Sequence, residues 1–122
     1  MKTALIIGLG GGIGSILRYA LQVFMVRHVP VIFPLGTFLV NISGCFVIGL
    51  FYGLSVKYTF LNTEWRLFLI TGICGGYTTF SSFSYESVSL FRQGAYFNFV
   101  LYVLSSVLLG LLATIAGGAL SK

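Results

Sequence analysis

Charge is scarce in this sequence, and acid is scarcer still. Only 7% of the 122 residues are charged and only two are acidic, whereas a soluble domain carries about 25% charged residues. Such a chain cannot coat itself for water. The two acids, Glu64 and Glu86, lie far apart, and nowhere do a nucleophile, a base and an orienting group converge by spacing, so the chain is not read as an enzyme. The lone histidine, His28, sits in a loop beside Pro30 and takes no role. Cys45 and Cys74 fall within apolar runs, where a thiol is a small buried hydrophobe, and imply neither a disulfide nor a metal framework. The formal net charge is +5, yet the seven Lys and Arg residues are scattered singly, without the clustering that phosphate binding needs, which excludes nucleic acid as a partner.

What remains is apolar. Hydrophobic residues make up 57% of the chain and the mean hydropathy is +1.03, which points to a bilayer. Arg18 is the only charge between Lys2 and Arg27. None lies between Arg27 and Lys57, between Arg66 and Glu86, or between Arg92 and Lys122. A helical crossing takes roughly 20 apolar residues, so the sequence predicts an all-α integral membrane protein of four transmembrane helices in a single domain, 1–122. The spans are expected at about 3–26, 35–56, 65–92 and 95–120. The opening residues imitate a signal peptide, but the apolar run continues past Arg18 without a small-residue cleavage site and reads as a retained first helix. Pro30 and Pro34 mark the first turn, and Gln93-Gly94 the last.

With both termini on one side, Lys2, Lys57, Arg66 and Lys122 share it, while Arg27 and Arg92 lie opposite and Arg18 nearer to them. Orientation follows the Lys and Arg bias of short loops, and four against three is nearly even. Insertion in both directions is therefore expected, giving an antiparallel dual-topology homodimer. A four-helix protomer is slender, which favours a pathway at or near the subunit interface.

Polar residues at membrane depth need partners, so they mark the sites of interest. The third span contains Gly75-Gly76-Tyr77-Thr78-Thr79, a poor continuous helix, and a break is predicted near 75–79. Its freed carbonyls, those of Gly75 and Thr78 above all, would make a cation site if two copies met on an axis. A packing kink without an ion is the alternative. Beyond the break Phe80, Phe83 and Ser84 share a face flanked by Ser81 and Ser82. Thr37 and Asn41 on the second span, and Tyr102 and Ser106 on the fourth, stand four apart and add neutral donors. Such a lining, with Arg18 as a fixed positive charge and phenyl edges at Phe80 and Phe83, suits a dehydrated anion. Ordinary interhelical hydrogen bonding would use the same polar groups. Arg18 is expected to divide its role between snorkelling and a vestibule, and Glu86 to pair with donors near the pathway or to form a structural salt bridge. In the first span Gly8 and Gly12, or Gly10 and Gly14, allow close helix approach. The G-x-G-x-x-G spacing of a dinucleotide site fails at Ser15.

Three segments in order, Gly11-Gly12-Ile13-Gly14-Ser15-Ile16-Leu17-Arg18-Tyr19, Gly36-Thr37-Phe38-Leu39-Val40-Asn41-Ile42-Ser43-Gly44 and Gly75-Gly76-Tyr77-Thr78-Thr79-Phe80-Ser81-Ser82-Phe83-Ser84-Tyr85-Glu86, resemble the Fluc fluoride channels, also called the CrcB family. The resemblance covers nearly the full chain. It implies an antiparallel dimer with two pores, a central structural Na+ ion, and passive fluoride efflux across a bacterial inner membrane that protects the cell from fluoride toxicity. Carried onto this sequence, it makes Phe80 and Phe83 the pore phenylalanines and Asn41 the pore asparagine. It assigns the sodium carbonyls to Gly75 and Thr78, and a polar track to Thr37, Ser82, Tyr102 and Ser106, with Arg18, Thr79, Ser81, Ser84 and Glu86 around them. Gly110 departs from the family pattern by interrupting the hydroxyl ladder of the fourth span. Two other readings stand beside it. A small multidrug-type proton-coupled transporter would need an acid in the first span, which holds Arg18 instead. A non-transporting membrane assembly subunit would carry no ion at all.

Overall fold

The computed structural model describes residues Met1–Lys122, and every regular element in it is helical. Three long helices, α1 (Lys2–His28), α2 (Leu35–Lys57) and α6 (Tyr96–Leu120), are long and apolar enough to cross a bilayer. Between α2 and α6 the chain is divided into α3 (Thr63–Arg66), a π-helical segment (Leu67–Cys74), α4 (Gly75–Tyr77) and α5 (Phe80–Arg92). Asn62 starts α3, its side chain accepting the N–H groups of Glu64 and Trp65 at 3.1 and 3.2 Å, as an N-cap should. Lys2 forms an exposed 3.0 Å ion pair with Glu64, joining the start of α1 to the same end of the third stretch. After α5, Gly94 adopts φ +77° while its N–H and that of Ala95 return to the carbonyls of Phe91 and Leu90. Glycine at this C-terminal turn reverses the chain into α6 without steric cost.

Two tight helix pairs build the interior. α1 packs on the π-helical segment and α4, where a Cβ at Gly10 would strike the Phe68 carbonyl and one at Gly14 the Ile73 carbonyl. α2 packs along α6 in the same way, with a Cβ at Gly49 or Gly117 colliding with the carbonyl of Thr114 or Phe46. In lipid, where apolar surface gains nothing from leaving its surroundings, such backbone approach is the main source of helix association. Of the two glycine pairs anticipated in the first span, Gly10 and Gly14 make the contact; Gly8 and Gly12 have nothing within 4 Å.

Only 16 of the 122 residues are buried, and large apolar side chains such as Leu9, Ile16, Leu104 and Leu112 dominate the exposed set. That outer surface is matched to acyl chains or to another apolar protein face, not to water.

Candidate functional site

The site begins at an interruption. Helical geometry stops after Tyr77 and resumes at Phe80, with Thr78 (φ −84°, ψ 159°) and Thr79 (φ −151°, ψ 113°) extended. The break is thus narrower than the sequence suggests and lies two residues after the glycine pair. Gly75 and Gly76 stay helical because Gly76 is pressed against Gly11, where a Cβ would meet the Gly11 carbonyl. The carbonyl of Gly76 also accepts from Arg18 Nε at 3.1 Å and from the Ser15 hydroxyl at 3.4 Å. Arg18, expected between the interface and a vestibule, is therefore occupied with the backbone of α4. Extended geometry falls instead on two β-branched residues, which favour it.

Freed backbone groups at the break are met individually. Asn41 Nδ2 donates to the Thr79 carbonyl at 3.0 Å, and the Thr79 N–H donates to Asn41 Oδ1 at 2.8 Å. Thr79 Oγ1 caps α5 by accepting the Ser82 N–H at 3.2 Å. The Thr78 hydroxyl and N–H both donate to the Cys74 carbonyl, at 2.9 and 3.0 Å. No side-chain donor reaches the carbonyls of Gly75 or Thr78. Nor does any group of three His, Cys, Asp or Glu residues gather anywhere in the chain to hold a metal ion.

Asn41, Thr78, Thr79, Phe80, Phe83 and Ser106 line an open cavity of about 310 Å³ beside the break, together with Gly44, Cys45, Ile48 and Val107. Four elements contribute to it: α2, the break, α5 and α6. Ser106 is part of this lining, and its hydroxyl oxygen is buried without a hydrogen-bond partner. An orphaned hydroxyl of this kind costs about 1–3 kcal/mol unless something meets it. The Phe80 and Phe83 rings lie 5.8 Å apart, but they differ in setting: Phe80 is 79% exposed, whereas Phe83 packs at 5.1 Å against the Tyr102 ring. Ser81 and Ser84, on the turns beside them, are exposed. Gly110 is buried one turn beyond Ser106, facing the Cys45 sulfur, so the hydroxyl row on α6 ends there.

Thr37, Ser82 and Glu86 lie in a second cavity, about 540 Å³, beneath the 29–34 connection. The Thr37 hydroxyl donates to Glu86 Oε2 at 3.0 Å, and the Tyr102 hydroxyl donates to Glu86 Oε1 at 3.1 Å. Of the two roles anticipated for Glu86, pairing with neutral donors is the one present. Tyr102 is completely buried and joins the cavities, its hydroxyl in the Glu86 cluster and its ring on Phe83. Sequence reasoning missed Gln22, whose amide nitrogen Nε2 donates to Thr37 Oγ1 at 3.1 Å. Its signal was its position: a polar amide one turn after Arg18, inside a span.

A chain so apolar on its outside, all-helical, with hydrogen-bonding groups gathered between its helices, is a multi-pass membrane protein organised around an interior polar site. The family model for "CrcB-like protein, Camphor Resistance (CrcB)" matches residues 5–118, and the chain belongs to the CrcB family. It is similar to the fluoride-specific ion channel FluC of Azobacteroides pseudotrichonymphae, at 45% identity covering 100% of this chain and 98% of the relative. It resembles that of Phocaeicola vulgatus at 49% identity with 96% of each chain covered, and that of Flavobacterium psychrophilum at 46%, covering 100% and 98%. With this family and several helices apolar enough to cross a bilayer, it is a multi-pass bacterial membrane protein.

Proposed function

We propose that the chain is a passive fluoride channel that exports fluoride through the bacterial inner membrane. The full-length relatives named as fluoride-specific channels support this reading. The structural observation that carries it is the cavity at the break, which Asn41, Phe80, Phe83 and Ser106 line together, with the Ser106 hydroxyl buried beside it and unpartnered. Burying a bare anion without replacement for its water is prohibitively costly. Here an O–H, an amide N–H and positively polarised ring edges replace that shell without a fixed charge that would trap the ion. The start of α5 directs its positive dipole end toward the same space.

In this reading the stretch from α3 through α5 is a fourth crossing, broken in mid-membrane at Thr78-Thr79, and two protomers pair antiparallel, each inserted the opposite way. Pairing would cover Phe80 and the open side of the cavity. Thr37, Ser82 and Tyr102 extend the polar track, and Thr37 and Tyr102 become donors to fluoride as Glu86 releases them. Arg18, Thr79, Ser81, Ser84 and Glu86 support it. The Gly75 and Thr78 carbonyls, which no side chain engages, suit a hard monovalent cation, and we assign them to a structural Na+ ion between protomers. Such an ion would fix the two breaks against each other and take no part in conduction.

A bacterium lacking its own fluoride exporter tests the function. Expression of this chain is expected to restore growth on fluoride-containing medium, with Ser106→Ala and Phe80→Ile restoring it less. No rescue by a chain that reaches the membrane would overturn the proposal.

A further inference from the structure

Gln22 belongs to α1 and lies outside every group of residues considered so far as an ion path, yet its contacts are specific. Its amide donates to Thr37 Oγ1, and its stem fits against Gly36, where a Cβ would sit 3.3 Å from Gln22 Cγ. The side chain is thus held by the residue immediately before Thr37. Hydrogen counting then fixes the direction of the chain. A carboxylate only accepts, so the single hydrogen of the Thr37 hydroxyl points to Glu86 Oε2, and Gln22 must present its NH2 rather than its carbonyl.

We propose that Gln22 is a positioning residue for permeation, acting through Thr37. By filling the acceptor side of the Thr37 oxygen it leaves that hydroxyl one arrangement, as an outward donor to Glu86 or to a passing anion. A hydroxyl that accepts a hydrogen bond is also a stronger donor, because the bonds of a chain polarise one another. This role rests on the fluoride-channel reading and adds a residue from α1 to it.

The test is fluoride efflux from liposomes, read with a fluoride electrode, for the wild-type chain, Gln22→Met, Gln22→Glu, Thr37→Val and the Gln22→Met/Thr37→Val pair. Each protein is compared only when its detergent elution profile matches that of the wild type. Methionine keeps the volume without the donor, and efflux is expected to fall severalfold, up to about tenfold, as loss of one neutral hydrogen bond would give. Glutamate, an acceptor, draws the Thr37 hydrogen away from Glu86 and is expected to lower efflux further. In the Thr37→Val background, Gln22→Met is expected to change nothing, since there is no hydroxyl left to orient. Wild-type efflux in Gln22→Met, or a full additional loss in the double variant, would overturn the proposal. A wild-type chain that passes no fluoride would defeat the channel reading itself, and that failure is visible before any substitution is made.

Discussion

Asn41 and Thr79 hold each other through both ends of the amide: Nδ2 to the Thr79 carbonyl at 3.0 Å, and the Thr79 N–H to Oδ1 at 2.8 Å. This reciprocal pair satisfies both backbone groups that the extended Thr79 withdraws from helical bonding. It also spends one amide hydrogen of Asn41 on structure and leaves the other for the cavity. Asn41→Leu orphans both Thr79 groups and should destabilise the protein by about 2 kcal/mol or more. A lowered melting temperature in detergent, together with lost fluoride efflux, checks this. Asn41→Asp keeps the acceptor for the Thr79 N–H but sets an oxygen against the Thr79 carbonyl, and should also abolish efflux.

Glycines in the first span divide sharply by face. Gly14→Ala drives a Cβ into the Ile73 carbonyl and the Tyr77 nitrogen, and overpacking against backbone should cost about 1–3 kcal/mol. Gly8→Ala meets nothing within 4 Å and should be neutral or stabilising by up to about 1 kcal/mol through helix propensity. Thermal unfolding of the two purified variants separates them.

The two phenylalanines should fail differently. Phe83 rests on the buried Tyr102 ring, so Phe83→Ile loses packing as well as flux, and its melting temperature should fall with its efflux. Phe80 is 79% exposed in the protomer, and Phe80→Ile should lower efflux while leaving protomer unfolding nearly unchanged.

The apolar runs read from composition coincide with α1, α2 and α6 to within a residue or two, because length and hydropathy suffice to define an uninterrupted helix. The third stretch was harder. A break was visible in the Gly75-Gly76-Tyr77-Thr78-Thr79 sequence, but its placement depends on Gly11, Ser15, Arg18 and Asn41, all distant in the chain. The π-helical register of Leu67–Cys74 left no mark on the hydrophobic pattern, which is apolar throughout.

Several residues that line the two cavities stand out in the sequence as polar exceptions at helical spacing. Thr37 and Asn41 stand four apart on α2, yet each lines a different cavity. Spacing along one helix cannot reveal that Tyr102 stands between those cavities, nor that Glu86 takes the hydroxyls of Thr37 and Tyr102 for itself. Nor does spacing single out Gln22, whose partner Thr37 lies on another helix.

Fluoride is expected to pass the neutral donors selectively. Liposomes loaded with potassium fluoride or potassium chloride, made permeable to potassium and carrying the purified protein, measure it directly. Rapid fluoride release, strongly reduced in Ser106→Ala, with chloride retained, is the expected result; chloride leaving as fast as fluoride, or fluoride released no faster than from protein-free liposomes, would contradict a fluoride-selective path.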